Sequence, residues 1–366
     1  AGLVVASLAR VGLSLAGSSL KTMAGVLLAA SAFGGLLSLV VGMLNGGALA
    51  VILMRQAGFP EVPAPMPLRA APRAAVMALV FFSALGLLVG GLGFGAIDAP
   101  DDRIVVIAHR GGAIARPENT MAAFEQGIEE GADWLELDVQ ETADGQVAVI
   151  HDSDFMKIGS SPLKVWEATA DDLGSLDVGS WFDPAYADQR TPLLSEVLET
   201  ARDRSRVLIE LKYYGHDERL PERVAEAVEA AGMTDQVAAM SLKYEQVQRM
   251  KAHRPEWKVG LLAATSVGRP WALEADFLAV NAAMATPRFV RRAREAGKDV
   301  YVWTINDALS MSRMASIGVA GLITDAPALA HQVLDERETL SVPERSILAL
   351  ADGIGLDVGL EDRGDG

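Results

Sequence analysis

Residues 108–152 read AHRGGAIARPENTMAAFEQGIEEGADWLELDVQETADGQVAVIHD, and this stretch decides the fold. Apolar runs rich in β-branched residues stand on either side of an amphipathic stretch that begins at Thr120. The order strand, helix, strand is typical of parallel α/β architecture. The apolar runs end in polar side chains, which are His109, Glu136, Asp138 and His151. The stretch therefore predicts parallel strands that carry a functional site at their ends.

The same alternation continues to about residue 335. The candidate strands are RIVVIAH, WLELDV, VAVIH, RVLIELK, VAAMS, KVGLL, FLAV, VYVWTIN and GLIT. A closed barrel needs eight strands, so one of these nine is extra. Asp144-Gly145 lies between two alternating runs and predicts a hairpin there, with Asp138 directly opposite His151. We therefore predict an α/β fold, a TIM-type (β/α)8 barrel over residues 103–335.

Three acidic residues are expected to meet at one rim of this barrel. Glu136 and Asp138 are two apart on one strand, so their side chains point to the same face. Glu210 lies at the end of another strand, and the carboxyl ends of parallel strands share one rim. Carboxylates forced together repel each other unless a cation lies between them. An all-oxygen set suits Mg²⁺ or Ca²⁺ rather than zinc, so the trio predicts one divalent cation.

Two histidines and two basic residues occupy the same strand ends. His109 and His151 can supply the acid and the base for hydrolysis of a phosphodiester, because imidazole gives or takes a proton near neutral pH. A single histidine is more often structural, and the placement of two at neighbouring strand ends favours catalysis. Arg110 and Lys212 are the local cations that can hold a phosphate.

The first 97 residues differ from the rest in charge. They carry five basic residues and one acidic residue, whereas the whole chain has a formal net charge of −16. Residues 22–54 and 74–97 contain no charged residue, and each run exceeds the roughly 20 residues that cross a bilayer. We therefore expect transmembrane helices from an incomplete membrane domain over residues 1–97. A cleaved signal peptide is the alternative.

The connection between these two runs sets the expected orientation. Residues 55–73 hold three Arg and one Glu, which places them in the cytoplasm by the positive-inside rule. The barrel would then follow a linker, residues 98–102, on the extracytoplasmic side of the cell membrane. The strongly acidic remainder of the chain argues against a nucleic-acid partner.

Two segments fall outside the strand and helix repeat. Residues 153–190 form an insertion between a strand and the next helix, a place where segments covering active sites are common. Its larger apolar side chains predict either a lid or membrane-facing wall, or a small separate core. They are Met156, Ile158, Trp166, Trp181, Phe182 and Tyr186. Residues 336–366 read as an acidic tail.

The motifs HRG, PENT, ExD and HD occur in this order within residues 108–152, and IELK, VWTIN and LITDAP follow. Together they resemble the glycerophosphodiester phosphodiesterase family over residues 103–335, and the N-terminal segments resemble those of members with a multispan membrane domain. The resemblance implies a TIM-type barrel with a lid insertion, a divalent metal, and hydrolysis of glycerophosphodiesters to an alcohol and glycerol phosphate. By motif it assigns catalysis to His109 and His151, metal binding to Glu136, Asp138 and Glu210, and substrate or phosphate contacts to Arg110, Lys212, Glu118 and Trp303.

The chain departs from the family pattern at two places. The HD motif is followed by SDFMKIG where an Arg is frequent in the family, and Ser241-Leu242 stands where Ser-Phe is frequent. Both positions bear on which alcohol is released. A phospholipase or lysophospholipase acting on intact membrane lipid is one rival function, favoured by the anchor and the aromatic insertion. A noncatalytic membrane-anchored binding module is another, and the retained histidines and acids argue against it.

Overall fold

The computed structural model describes residues 19–56, 104–216, 218–265 and 268–353. The chain divides into two compact units, one formed by Ala1–Asp98 with Asp335–Gly366 and the other by Ala99–Leu334. The predicted span over residues 74–97 and the predicted linker over residues 98–102 lie outside the described residues. The catalytic residues expected from the sequence all belong to the second unit.

The described helices and strands are as follows in chain order. The α-helices are α1 (Leu20–Gln56), α2 (Met121–Glu129), α3 (Met156–Gly159), α4 (Ala170–Ser175), α5 (Leu194–Ala201), α6 (Leu220–Ala230), α7 (Tyr244–His253), α8 (Pro287–Glu295), α9 (Ala308–Ile317), α10 (Pro327–Glu338) and α11 (Val342–Gly353). The strands are β1 (Val105–Ala108), β2 (Trp134–Glu141), β3 (Val147–Val149), β4 (Asp154–Phe155), β5 (Ser161–Lys164), β6 (Arg206–Leu211), β7 (Val237–Ser241), β8 (Val259–Ala263), β9 (Phe277–Asn281), β10 (Asp299–Trp303) and β11 (Gly321–Thr324).

In the first unit α1 packs against α11. The first turns of α1 bury Leu20, Met23, Ala24 and Leu27, and the Leu20 backbone N–H donates to Glu336 Oε2 at 2.6 Å. Within the described ranges, no helix combines the length and the apolar character needed to cross a membrane. The prediction of a membrane span over residues 22–54, which lie in α1, is therefore not supported.

The second unit is the predicted barrel. Eight parallel strands follow one another in the order β1-β11-β10-β9-β8-β7-β6-β2, and β1 also pairs with β2, which closes the ring. β3 pairs antiparallel with β2 and is the extra strand. The interior is filled by apolar side chains from strands around the ring, such as Ile107, Met240, Phe277 and Ile323. The sequence prediction of a TIM-type (β/α)8 barrel is thus confirmed.

Amphipathic periodicity and end signals explain the helices around the ring. Thr120 caps α2 by accepting a hydrogen bond from the Ala123 N–H, which satisfies one of the free N–H groups of the first turn. Gly318 ends α9 in the left-handed conformation, which glycine adopts without strain. The described part of the connection between β8 and β9 holds a 3₁₀ turn, Pro270–Ala272, and no α-helix.

The β2–β3 hairpin forms where Asp144-Gly145 predicts it, but its register is shifted by one residue. Val139 pairs with Val149, so Ile150 and not His151 follows as the partner of Asp138. The cause is a longer loop, since the Gly145 N–H bonds to the Thr142 carbonyl and Gly145 has φ +76°. Such a glycine is typical of three-residue hairpin loops. The prediction that Asp138 lies directly opposite His151 is therefore wrong.

The insertion of residues 153–190 contains its own core. Phe155, Val165 and Leu173 are buried there and pack with residues that include Ile150 from the end of the hairpin. Ile158 belongs to this core, whereas Met156 and Trp181 are exposed. The alternative of a small separate core therefore holds for Ile158, and the lid or membrane-facing wall stays a prediction. We call the buried group the insertion core.

Candidate active site

Three carboxylates meet at the ends of β2 and β6. Asp138 is the register partner of Glu210 on the adjacent strand, and Glu136 lies two residues earlier, on the same face of β2. One oxygen of each carboxylate lies within 4.8 Å of the others, and all three side chains are buried. The grouping expected from strand alternation and the shared rim is confirmed. We call these residues the carboxylate cluster.

Burial and mutual repulsion make the carboxylate cluster costly to ionise. Burial raises the pKa of Glu136 to about 7, and the Asp138 charge adds to the shift. Burial likewise raises the pKa of Glu210 to about 7, against the opposing charge of Lys212. Burial would also raise the pKa of Asp138, but Lys212, Arg110 and His151 outweigh it and hold that pKa well below its ordinary value. Two of the three acids therefore retain protons near neutrality unless further positive charge is supplied.

Two cations lie against the carboxylate cluster. The Lys212 ammonium is 3.1 Å from Asp138 Oδ1 and 2.8 Å from Glu210 Oε1. Arg110 has φ +49°, a conformation that few non-glycine residues adopt, and its backbone N–H donates to Glu136 Oε2 at 2.9 Å. Its Nε is 3.4 Å from Asp138 Oδ2. Both predicted phosphate-binding residues are thus placed beside the acids, where a phosphate held at the cluster would meet them.

His109 follows β1 and is held by a carboxylate that directly follows the last strand. Its Nδ1 is 2.7 Å from Asp325 Oδ1, and the other oxygen of Asp325 accepts from Asn306 Nδ2 at 2.7 Å. Burial and Arg110 would lower the pKa of His109, but Asp325 outweighs them and raises it. Because an ionised carboxylate only accepts hydrogen bonds, Nδ1 carries the proton. Nε2 is then the nitrogen open to a reacting group.

His151 is held in a similar way by its neighbour in sequence. Its Nδ1 is 2.7 Å from Asp152 Oδ1. Gln140 Nε2 donates to the carbonyls of Ile150, His151 and Asp152, and the Tyr214 hydroxyl donates to the His151 carbonyl at 3.0 Å. These hydrogen bonds fix the turn after β3 in which His151 lies, and His151 contributes to the lowered pKa of Asp138. This turn brings His151 to the cluster despite the shifted hairpin register.

The sequence profile of the Glycerophosphoryl diester phosphodiesterase family matches residues 109–329, more than half of the chain. The chain belongs to this family. A glycerophosphodiester phosphodiesterase of Caldanaerobacter subterraneus subsp. tengcongensis is 34% identical over 235 residues, which is 62% of this chain and 95% of that relative. The chain is therefore an enzyme, a phosphoric diester hydrolase, and is called the phosphodiesterase below.

Two solved structures share the barrel. A glycerophosphodiester phosphodiesterase from Agrobacterium tumefaciens is 30% identical with a TM-score of 0.55, covering 62% of this chain and 98% of that one. An Oleispira antarctica phosphodiesterase, solved in complex with the product sn-glycerol-3-phosphate, is 25% identical with a TM-score of 0.61. The match covers 63% of this chain and 96% of the Oleispira antarctica chain.

The two remaining predicted substrate residues of the phosphodiesterase differ in their surroundings. Glu118 is buried and contacts two cations, with Oε1 3.1 Å from Arg110 Nη1 and Oε2 3.1 Å from Lys157 Nζ. An anion in this position orients Arg110 and links it to the insertion through Lys157. Trp303 ends β10 and packs against the interior core. Its Nε1 is buried without a hydrogen-bond partner among the described residues.

Several supporting residues of the phosphodiesterase were not among the predicted site residues. Asn119 has φ +53° and its Nδ2 donates to Asp138 Oδ2 at 2.9 Å. Gln140 lies two residues after Asp138, so the alternation that identified the acids also places it on their face. Asp325 and Asn306 stand at strand ends, and the sequence did not reveal the contact of Asp325 with His109 or that of Asn306 with Asp325. The first of these contacts depends on ring closure, which no local pattern encodes.

Proposed function

We propose that the phosphodiesterase hydrolyses glycerophosphodiesters to an alcohol and glycerol phosphate by a metal-dependent, two-histidine mechanism. The observation that carries the proposal is the carboxylate cluster with His109 and His151 beside it, each imidazole fixed through Nδ1 by a carboxylate. The substrate class follows from the family and from the glycerol phosphate bound to the Oleispira antarctica phosphodiesterase.

The carboxylate cluster fits a hard divalent cation. Glu136 and Glu210 have pKa values raised to about 7 because they are buried beside other acids, and a cation among them would relieve that repulsion. The donors are all oxygen, which suits Mg²⁺ or Ca²⁺. When bound, such a cation neutralises charge on the phosphate oxygens and makes phosphorus more open to attack.

Protein side chains bind the phosphate and transfer the protons. Arg110 and Lys212 bind phosphate oxygens and stabilise the charge that develops in the transition state. One histidine takes a proton at Nε2 from the nucleophile, and the other donates a proton from Nε2 to the leaving alcohol. The nucleophile is water, which gives glycerol phosphate directly, or the glycerol 2-hydroxyl, which gives a cyclic phosphate that a water then opens to glycerol phosphate. Asp325 and Asp152 keep Nδ1 protonated, so that each ring presents Nε2.

The test is release of glycerol phosphate from glycerophosphocholine by the full chain, with Mg²⁺ or Ca²⁺ and with chelator. We expect turnover with the cation and its loss with chelator or in the double variant His109→Ala/His151→Ala. His331→Ala is the matched control, because His331 lies on α10 and bonds to the Gly131 carbonyl. Turnover that survives chelation and the double substitution would refute the mechanism.

We also propose that the phosphodiesterase acts at a membrane, with its barrel on the extracytoplasmic side. Support comes from the sequence alone, in the uncharged residues 74–97, which lie outside the described residues, and the basic residues 55–73 before them. The full chain should then remain in the membrane fraction after alkaline carbonate washing, and a protease added outside intact cells should cleave the barrel. Recovery of the full chain in the carbonate supernatant would contradict the proposal.

A further inference from the structure

One lysine of the insertion reaches the active site. Lys157 lies on the short helix α3, and its Nζ is 3.1 Å from Glu118 Oε2. The other oxygen of Glu118, Oε1, lies 3.1 Å from Arg110 Nη1. Arg110 Nε is in turn 3.4 Å from Asp138 Oδ2. A row of alternating charges therefore runs from the insertion to the carboxylate cluster.

The folded insertion holds Lys157 in place. Ile158, the next residue, and Phe155, two residues before, are buried in the insertion core, so they fix the backbone that carries the lysine. Lys157 Nζ lies 5.8 Å from the centre of the Trp181 ring, within the range of a cation–π contact. Trp181 Nε1 donates to the Val178 carbonyl at 2.9 Å, and Val178 is also part of the insertion core. The ammonium is thus directed to the active site by the packing of the insertion.

The charges in this row determine how strongly Arg110 can bind a phosphate. Glu118 is negative and is shared between two positive groups, Arg110 and Lys157, which leaves one positive charge in excess. Without the lysine, the carboxylate of Glu118 would neutralise Arg110. Both oxygens of Glu118 would then be able to form a bidentate pair with the guanidinium. Such a pair would turn Arg110 away from a phosphate at the carboxylate cluster.

We propose that Lys157 is a positioning residue of the phosphate site. It occupies one oxygen of Glu118 and thereby leaves the charge of Arg110 for the phosphate of the substrate. Lys157 acts through Glu118 and needs no contact with the reacting atoms. The proposal rests on the function proposed above, since it requires a phosphate to bind at Arg110. It makes the insertion a part of the phosphate-binding machinery.

The test begins with Lys157→Met, which keeps an unbranched side chain but removes the charge. Choline release from glycerophosphocholine is measured with the full chain and the cation that supports turnover. We expect KM to rise about fivefold and kcat to change less than about twofold, because the lost charge attracts phosphate in the ground state as in the transition state. The inhibition constant of the product glycerol phosphate should rise by a similar factor. Lys157→Arg, which restores the charge, should restore KM.

Lys164→Met is the matched control. Lys164 also lies on the insertion, its Nζ is 2.6 Å from Asp154 Oδ2, and it too lies 5.8 Å from the centre of a tryptophan ring. The side chain of Lys164 is 37% exposed and that of Lys157 is 40% exposed. The acids differ, since Asp154 accepts its second hydrogen bond from a backbone N–H of the insertion, whereas Glu118 contacts Arg110. Lys164→Met should change neither KM nor kcat.

A second background separates positioning from support of the fold. In Glu118→Gln the amide has no charge with which to neutralise Arg110, so the further change Lys157→Met should leave KM where Glu118→Gln alone puts it. The four enzymes form a double-mutant cycle. A lysine that only supported the insertion would raise KM equally in both backgrounds. The denaturant midpoint of Lys157→Met should stay close to that of the unsubstituted chain, because a partly exposed ion pair adds little stability.

The outcomes separate the two proposals. Absence of turnover by the unsubstituted chain would refute the function proposed above. Turnover with an unchanged KM in Lys157→Met would refute the positioning role alone. A rise of KM that persists in the Glu118→Gln background, or that Lys164→Met equals, would also refute it, because the effect would then not pass through Glu118.

Discussion

The carboxylate cluster and the insertion core are both buried in the catalytic unit, yet they have opposite effects on stability. The cluster encloses three acids, of which Glu136 and Glu210 have pKa values raised to about 7. The insertion core encloses apolar side chains such as Phe155 and Leu173. Burial of apolar groups stabilises a fold, whereas burial of ionisable groups destabilises it. Substitutions in the two regions should therefore change stability with opposite signs, and those in the cluster should reduce activity far more.

The largest effect is expected from Glu136→Gln. The amide keeps the shape of the side chain but removes one anionic ligand, so kcat/KM for glycerophosphocholine should fall on the order of 10³-fold. The melting temperature without metal should rise at pH values above about 7, where the buried carboxyl of Glu136 is ionised. Calorimetry and the choline-release assay measure both changes. Glu125→Gln is the control, because it removes an exposed acid paired with Arg204, and it should change neither kcat/KM nor the melting temperature. A lower melting temperature of Glu136→Gln without metal would contradict the comparison of the two regions.

Phe155→Ala tests the insertion core. Phe155 is fully buried, and removal of such a side chain costs about 3 kcal/mol or more through lost burial and a cavity. Denaturant unfolding should show this loss, and limited proteolysis should cut within residues 153–190 first. The loss of kcat/KM should stay below about tenfold, since the barrel residues are unchanged. A loss of activity as large as that of Glu136→Gln would show that the two regions are not separable.

Substitution of Asp325 or Asp152, the carboxylates that contact Nδ1 of the two histidines, should have a smaller effect on activity. Asp325→Asn should reduce kcat/KM by roughly 10²-fold because the amide no longer fixes the Nδ1 proton of His109. The pKa of His109 should fall, which shifts the corresponding limb of the pH–rate profile to lower pH. Asp152→Asn should cost roughly tenfold, since Asp152 is 38% exposed and water can substitute for it. Equal losses of kcat/KM in the two variants, with no shift of their pH–rate profiles, would show that both aspartates have a purely structural role.

The smallest effect is the pH dependence of stability without metal. The pKa values of Glu136 and Glu210 rise from 4.5 to about 7 on folding, so the native state binds more protons between these pH values. The free energy of unfolding should therefore fall as pH rises from about 5 to about 7, and the raised pKa of His109 acts in the same direction. Added Mg²⁺ or Ca²⁺ should reduce this fall. Denaturant midpoints at several pH values check it, and an increase over this range would contradict the prediction.

The sequence predicted what depends on local pattern. Alternation placed Glu136 and Asp138 on one face, and the shared rim of a parallel barrel brought Glu210 to them. The hairpin register failed because it depends on the conformation of one loop, in which Gly145 makes the turn a residue longer. The contacts of His109 with Asp325 and of Glu118 with Lys157 were not predicted, because they join segments that meet only after folding.

Closure of the barrel has a consequence for the order in which the enzyme is made. His109 and Asp325 are 216 positions apart, and they meet because β1 pairs with β11. A nascent chain that has emerged from the ribosome only as far as β10 holds the complete carboxylate cluster but lacks the partner of His109. Full activity would then appear with the last strand of the ring, late in synthesis.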